Sequence, residues 1–192
     1  VPSYNVNDAN GVVVEEGRAV KTKDFIRPQE DSGGTMVSII TINMADPAAD
    51  FTSTGFVADV QNIYASTESL YLVSTIYHYA EDTYDENGFV IWSNPTFETK
   101  IHKFDLGSTG TYAAEGKVDG EILNQFSLGE YNGVLRIATT TGYTWDQTSR
   151  NHVLCLENNS GNLEIIGSVK NLAPDERLYS ARFMADRSFL VT

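Results

Sequence analysis

From Thr35 onward, apolar and polar positions alternate in short runs rich in β-branched and aromatic residues and broken by Gly, Asn, Asp and Pro. That is the pattern of strands joined by tight turns. The runs cover residues 35–44, 51–60, 62–67, 69–80, 97–106, 111–118, 124–130, 133–141, 151–158, 162–170, 180–186 and 188–192. Helical spacing at i, i+3, i+4 and i+7 is missing. Even DERLYSARFM fits alternation better, through Tyr179, Ala181 and Phe183. The predicted class is all-β. Residues 1–34 are less regular and read as a tether with one or two short strands, punctuated by Asn10–Gly11, Arg27–Pro28 and Gly33–Gly34.

Two forms recur along the chain. In NIYASTESLYLVST, QFSLGEYNGVLRIATT and ARFMADRSFLVT, a short strand and a polar turn lead into a strongly apolar strand. In residues 37–60, 100–120 and 152–172, a strand and a turn lead into a more polar strand carrying Gly55, Gly116 or Gly167. The forms alternate, so the predicted unit is four antiparallel strands, the blade of a β-propeller. Blades then fall at residues 35–60 (an outer half), 61–120, 121–172 and 173–192 (an inner half), about three blades' worth in two whole and two half blades. Residues 81–96 are an insertion within the first whole blade. Gly116–Gly142 reads as the joint between the two whole blades.

Three blades fall short of the usual ~4–8. The expected partners are therefore missing blades of a longer parent chain, or a second copy closing a six-bladed ring. The absence of a starting Met, and a last run (SFLVT) that stops inside a strand, make a fragment the expectation.

Composition narrows the function. The chain has 192 residues, 41% of them hydrophobic, enough to bury a core. Its 13 basic and 26 acidic residues give a net charge of -13, which repels nucleic acid and anionic membranes. No apolar run approaches the roughly 18 residues of a membrane-spanning helix. Cys155 is the single cysteine; it can form no internal disulfide and is expected to be a buried structural thiol.

Residues 123–142, 99–106, 116–120 and 173–192, and more weakly 69–75, resemble the β-propeller domain of secreted, uncharacterised bacterial and archaeal proteins. The resemblance covers most of residues 35–192. It implies a propeller fold and an extracellular or cell-envelope location, and it carries over no catalytic residue. The insertion at 81–96 lies where the family varies.

Candidate chemistry is sparse. Arg136 needs a carboxylate partner if buried, and Glu130, across the Gly129–Gly133 hairpin, is the nearest. Asn124 and Gln125 sit at the crossing into an inner strand, where amides tie down backbone groups. Asp82, Asp85, Asn87 and Gly88 offer oxygen ligands for Ca2+, but they miss the calcium-loop spacing, and turn chemistry explains them equally. Asn5, Asn7, Asp8, Asn10 and Gly11 behave likewise. No cofactor is expected otherwise.

There is no G-x-S-x-G. His78, His102 and His152 lie in strand runs without a nucleophile partner, the last two at equivalent repeat positions. The aromatic insertion, with Tyr79, Tyr84 and Trp92, could form a rim for a protein or carbohydrate. Asn158-Asn159-Ser160 is a glycosylation sequon. The chain is thus expected to be a non-catalytic extracellular interaction or scaffold module. The alternative is the propeller portion of a cell-envelope hydrolase or a carbohydrate-binding protein, with Glu130 and Asp186 as the acids nearest the channel.

Overall fold

The computed structural model describes residues 2–46, 50–81, 83–107 and 109–192. In chain order the strands are β1 (Ser3–Asn7), β2 (Val13–Arg18), β3 (Phe25–Ile26), β4 (Met36–Thr41), β5 (Thr52–Val57), β6 (Asn62–Ala65), β7 (Ser69–His78), β8 (Thr83–Tyr84), β9 (Val90–Ile91), β10 (Thr96–Asp105), β11 (Thr111–Asp119), β12 (Leu128–Tyr131), β13 (Val134–Thr141), β14 (Arg150–Asn159), β15 (Asn162–Leu172), β16 (Ser180–Met184) and β17 (Arg187–Val191). The described residues hold no α-helix, only single 3-10 turns at Thr22–Asp24 and Gln125–Ser127. The fold is all-β, an arc of a β-propeller.

Two antiparallel four-stranded units carry the arc, β6-β7-β10-β11 and β12-β13-β14-β15. They touch edge to edge where Glu115 of β11 pairs with Asn162 of β15. Flanking them are the sheet β3-β5-β4 and the hairpin β16-β17. Residues 3–18 form a hairpin, β1-β2, closed by Asp8, whose Oδ1 accepts from the N–H groups of Asn10 and Val12.

The strands that pack on both faces lose the alternation of half-exposed strands. β10 is buried almost throughout because Ile101 faces the second unit while Phe104 faces β5. The first core joins Tyr71, Val73 and Ile101 to Leu135, Ile137, Leu154 and Leu156 of the next unit. The second places Leu72 and Phe104 against Phe56. The third sets Ala138 and Val153 against Ala181 of the terminal hairpin. Successive sheets thus stack face to face, with apolar side chains interdigitating.

Cys155 is half-buried rather than buried. It lies opposite Arg136, on the face covered only by the two-stranded β16-β17, which leaves β14 partly open. His102 and His152 are not equivalent. Two-residue turns at 67–68 and 132–133 align Leu72 with Ile137, and these lie opposite His102 and Leu154, respectively. His152 matches Lys100 instead.

Candidate functional site

Two loops lie at the same end of neighbouring units: residues 79–95 between β7 and β10, and residues 142–149 between β13 and β14. The second is tightly wound. Gly142 has φ +67°, and a Cβ there would collide with the Thr148 carbonyl, so only glycine fits. The Tyr143 carbonyl accepts from the N–H groups of Thr148 and Ser149. Asp146 Oδ1 accepts from the Thr148 N–H at 3.1 Å and the Thr148 hydroxyl at 2.6 Å. The hydroxyl, chiefly, holds the Asp146 carboxyl below its ordinary range, so it is an ionised acceptor at neutral pH.

The loops are tied together. Asn94 Nδ2 donates to Asp146 Oδ2 at 2.7 Å, and the Tyr143 hydroxyl donates to the Pro95 carbonyl at 3.0 Å. A row of rings crosses the joint: Tyr77–Phe97 at 5.3 Å, Phe97–Tyr143 at 5.1 Å and Tyr143–Trp145 at 5.6 Å between centroids, within aromatic-pair range. Beside it runs a groove of about 620 Å³, bordered by His78, Phe97, Glu98, Asp119, Tyr143 and Asp146. Glu98 is already met by Lys117 Nζ at 3.7 Å and His78 Nε2 at 3.8 Å.

Of the aromatic residues anticipated for a rim, Tyr79, Tyr84 and Trp92 are all exposed, and none makes a ring contact among the described residues. Trp92 is 85% exposed and Trp145 69%; these are the chain's two tryptophans. Trp145, Tyr143, Asp146 and Asn94 escape a reading of the sequence, although GYTWD, an aromatic-acidic turn between two strand runs, is a signal that marks the first three.

The expected ion pair of Glu130 with Arg136 does not form. Gly129 pairs with Arg136 and Glu130 with Leu135, so the two charges point to opposite faces of the sheet. Glu130, with a side chain 4% exposed, faces the first unit. It accepts from the hydroxyls of Ser66, Ser69 (3.0 Å) and Tyr71 (3.1 Å), with Lys103 Nζ at 3.9 Å. Its own N–H donates to the Tyr64 hydroxyl at 2.9 Å. Arg136 faces the other way, donating to the Ala185 carbonyl and lying 5.2 Å from the Phe183 ring and 5.4 Å from the Tyr131 ring. The two residues clamp the hairpin to its neighbours on either side. Asp186, the other acid expected near the channel, is exposed beside Arg187 at 3.8 Å.

Asn124 caps the turn Gln125–Ser127 through a 2.9 Å bond to the Phe126 N–H. Gln125 is exposed and contributes its carbonyl, which accepts from the Leu128 N–H. Of the calcium candidates, Asp82 lies outside the described residues. Asp85 Oδ1 is engaged by the N–H groups of Asn87 and Phe89, which makes this segment an Asx turn. Among the described residues no three His, Cys, Asp or Glu side chains are grouped to hold a metal.

The family described as "Beta propeller domain" has a model that matches residues 1–192. An uncharacterized protein of Methanocaldococcus jannaschii is 40% identical over 95 residues, 49% of this chain and 14% of that protein. An uncharacterized protein of Archaeoglobus fulgidus is 42% identical over 97 residues, 50% of this chain and 14% of that protein. The matched part thus spans about a seventh of the length of these relatives. No solved structure matches the chain.

Proposed function

The chain belongs to the β-propeller domain family, and we propose that it is a non-catalytic interaction module of an extracellular or cell-envelope protein, with the two-loop end as its binding face. The observation that carries this is the exposure of both tryptophans on loops locked together by Asn94 and Asp146. Large apolar rings held in water on a fixed frame are the composition of binding surfaces. The resemblance of residues 123–142 and 173–192 to secreted propeller proteins supports the location.

The reading is tested by cosedimentation with isolated cell envelopes. The triple variant Tyr79→Ala, Trp92→Ala, Trp145→Ala is expected to lose at least about 10-fold in affinity; binding equal to the unsubstituted chain would overturn it. A hydrolase is the second reading, favoured by Glu98 and Asp119, which are paired across β10 and β11 beside the groove, as two carboxylates acting on a glycosidic bond would be. Release of soluble product that depends on both carboxylates would favour it.

Ring closure supplies a further partner. β4-β5 corresponds to the third and fourth strands of a unit, and β16-β17 to the first and second. Among the described residues the only strand that pairs with β4 is β5, and the only one that pairs with β17 is β16. Open edges seek strands, from further blades of a longer chain or from a second copy. If a second copy supplies them, light scattering at high concentration will give about twice 21.2 kDa; a strict monomer rules it out.

A further inference from the structure

We propose that the groove between the two loops binds a neutral oligosaccharide. The proposal rests on reading this end as the binding face and names its ligand. The groove's volume of about 620 Å³ lies within the ~300–1,000 Å³ typical of small-ligand sites. Of the ring row, Tyr143 and the buried Phe97 border the groove, while Tyr77 and Trp145, at the two ends of the row, stand exposed beside it. Such rings offer apolar faces, with a polar rim for hydrogen bonds. A pyranose matches this, having one face of C–H groups and a periphery of hydroxyls.

The polar atoms decide between ligand classes. The border is rich in acceptors, the carboxylates of Glu98, Asp119 and Asp146, so the ligand must donate. Anionic ligands are repelled by these groups and by the chain's net charge of -13. A cationic peptide would need free carboxylates. Glu98, however, is shared by Lys117 and His78, and Asp146 already accepts from Asn94 and twice from Thr148. Asp119 alone makes no side-chain hydrogen bond or close ion pair among the described residues, its charge being felt only at His152. One free carboxylate beside an aromatic row suits hydroxyl donors better than a run of ammonium groups. The loop bonds fix Tyr143 and Asp146 before any ligand arrives, which lowers the ordering cost of binding.

The test is native electrophoresis of the whole chain through gels containing a soluble β-glucan, a xylan, a galactomannan or an α-mannan. An anionic polysaccharide and a lysine-rich peptide serve as counter-probes, and tryptophan emission is read in parallel. Retardation by at least one neutral polysaccharide is expected, with a shift in emission. Trp145→Ala should weaken that binding about 10-fold or more. Trp145→Phe, which keeps a ring, should restore part of it, and Tyr179→Ala, which removes an exposed ring that does not border the groove, should change nothing. Thermal melting confirms that each variant folds.

Retention by none of the neutral polysaccharides overturns the proposal, as does unchanged binding in Trp145→Ala. Salt-sensitive binding to the lysine-rich peptide alone assigns the groove to basic peptides and overturns it too. If envelopes still bind through the tryptophan face while no neutral polysaccharide does, the ligand class is wrong and the binding face stands. If the triple variant binds envelopes like the unsubstituted chain, both fall.

Discussion

Glu130→Ala is expected to lower the unfolding free energy by about 3–5 kcal/mol, the cost of removing one partner from a buried ion pair. The carboxylate is 4% exposed and Lys103, at 3.9 Å, is 11% exposed. Without Glu130, Lys103 keeps, among the described residues, only the exposed Asp105 at 3.5 Å. The hydroxyls of Ser66, Ser69 and Tyr71 lose an acceptor at once, and an unsatisfied buried polar group costs about 1–3 kcal/mol. These donors all belong to the first unit while Glu130 belongs to the second, so the loss falls on the contact between sheets. At about 2–4 °C per kcal/mol for a chain of this size, the melting temperature should drop by about 10 °C.

Urea denaturation measures the effect against Glu68→Ala, an exposed carboxylate in the turn between Ser66 and Ser69, which should stay within about 0.5 kcal/mol. Replacing Glu130 and Lys103 together with Leu and Met should recover part of the loss, since no charge is then stranded. Equal stability of Glu130→Ala and Glu68→Ala would show that the carboxylate does not hold the sheets together.

The direction in which Glu130 faces was contained in the sequence, in a feature weaker than charge. Asn132 and Gly133 both adopt positive φ, 53° and 79°, the two-residue turn that Asn-Gly favours. Such a turn pairs Tyr131 with Val134, hence Gly129 with Arg136 and Glu130 with Leu135. Parity then separates the charges, whereas proximity along the chain suggests joining them. The strand runs were legible for the opposite reason: alternation and turn residues are local, and the β7 and β13 runs needed nothing distant to declare themselves. His102 and His152 show where local reading stops. Their run positions look alike, but only counting from each opening turn reveals that His102 matches Leu154. The groove was least legible of all, because Asn94 and Asp146 are 52 residues apart and meet only once the units stack.

Lowering the pH from 7 to 4 is expected to cost about 3 kcal/mol of stability through His102. The ring is 3% exposed and lies against Phe56 at 4.9 Å. The Tyr112 hydroxyl donates to Glu115 Oε2 at 2.6 Å. Its proton is thus committed, and His102 Nδ1, at 3.1 Å, donates to the Tyr112 oxygen. Nε2 is buried with no hydrogen-bond partner among the described residues. Burial holds the imidazole at about 4, with Lys100 reinforcing it and Glu115 opposing.

The folded pKa therefore lies below the ordinary 6.5, and between those values the unfolded chain takes up a proton that the folded chain refuses. Stability is complete above about 6.5, falls as the pH drops through the window, and levels off below about 4. At about 1.4 kcal/mol per pH unit the window amounts to about 3 kcal/mol. His152, also lowered by burial, acts in the same direction. The carboxylates of Asp8, Asp59 and Asp146, held low mainly by hydrogen bonds, give up their contribution only as the pH falls below about 4; the exposed Glu30, held low by its hydrogen bond with Lys117, begins to do so at the foot of the window, and Glu121, raised by burial, acts in the opposite direction. Urea titrations at pH 7, 6, 5 and 4.5 should show a much smaller loss for His102→Asn, whose amide can still donate to Tyr112 but does not titrate. If the variant loses as much stability as the unsubstituted chain over that range, protonation of His102 is not what acid acts on.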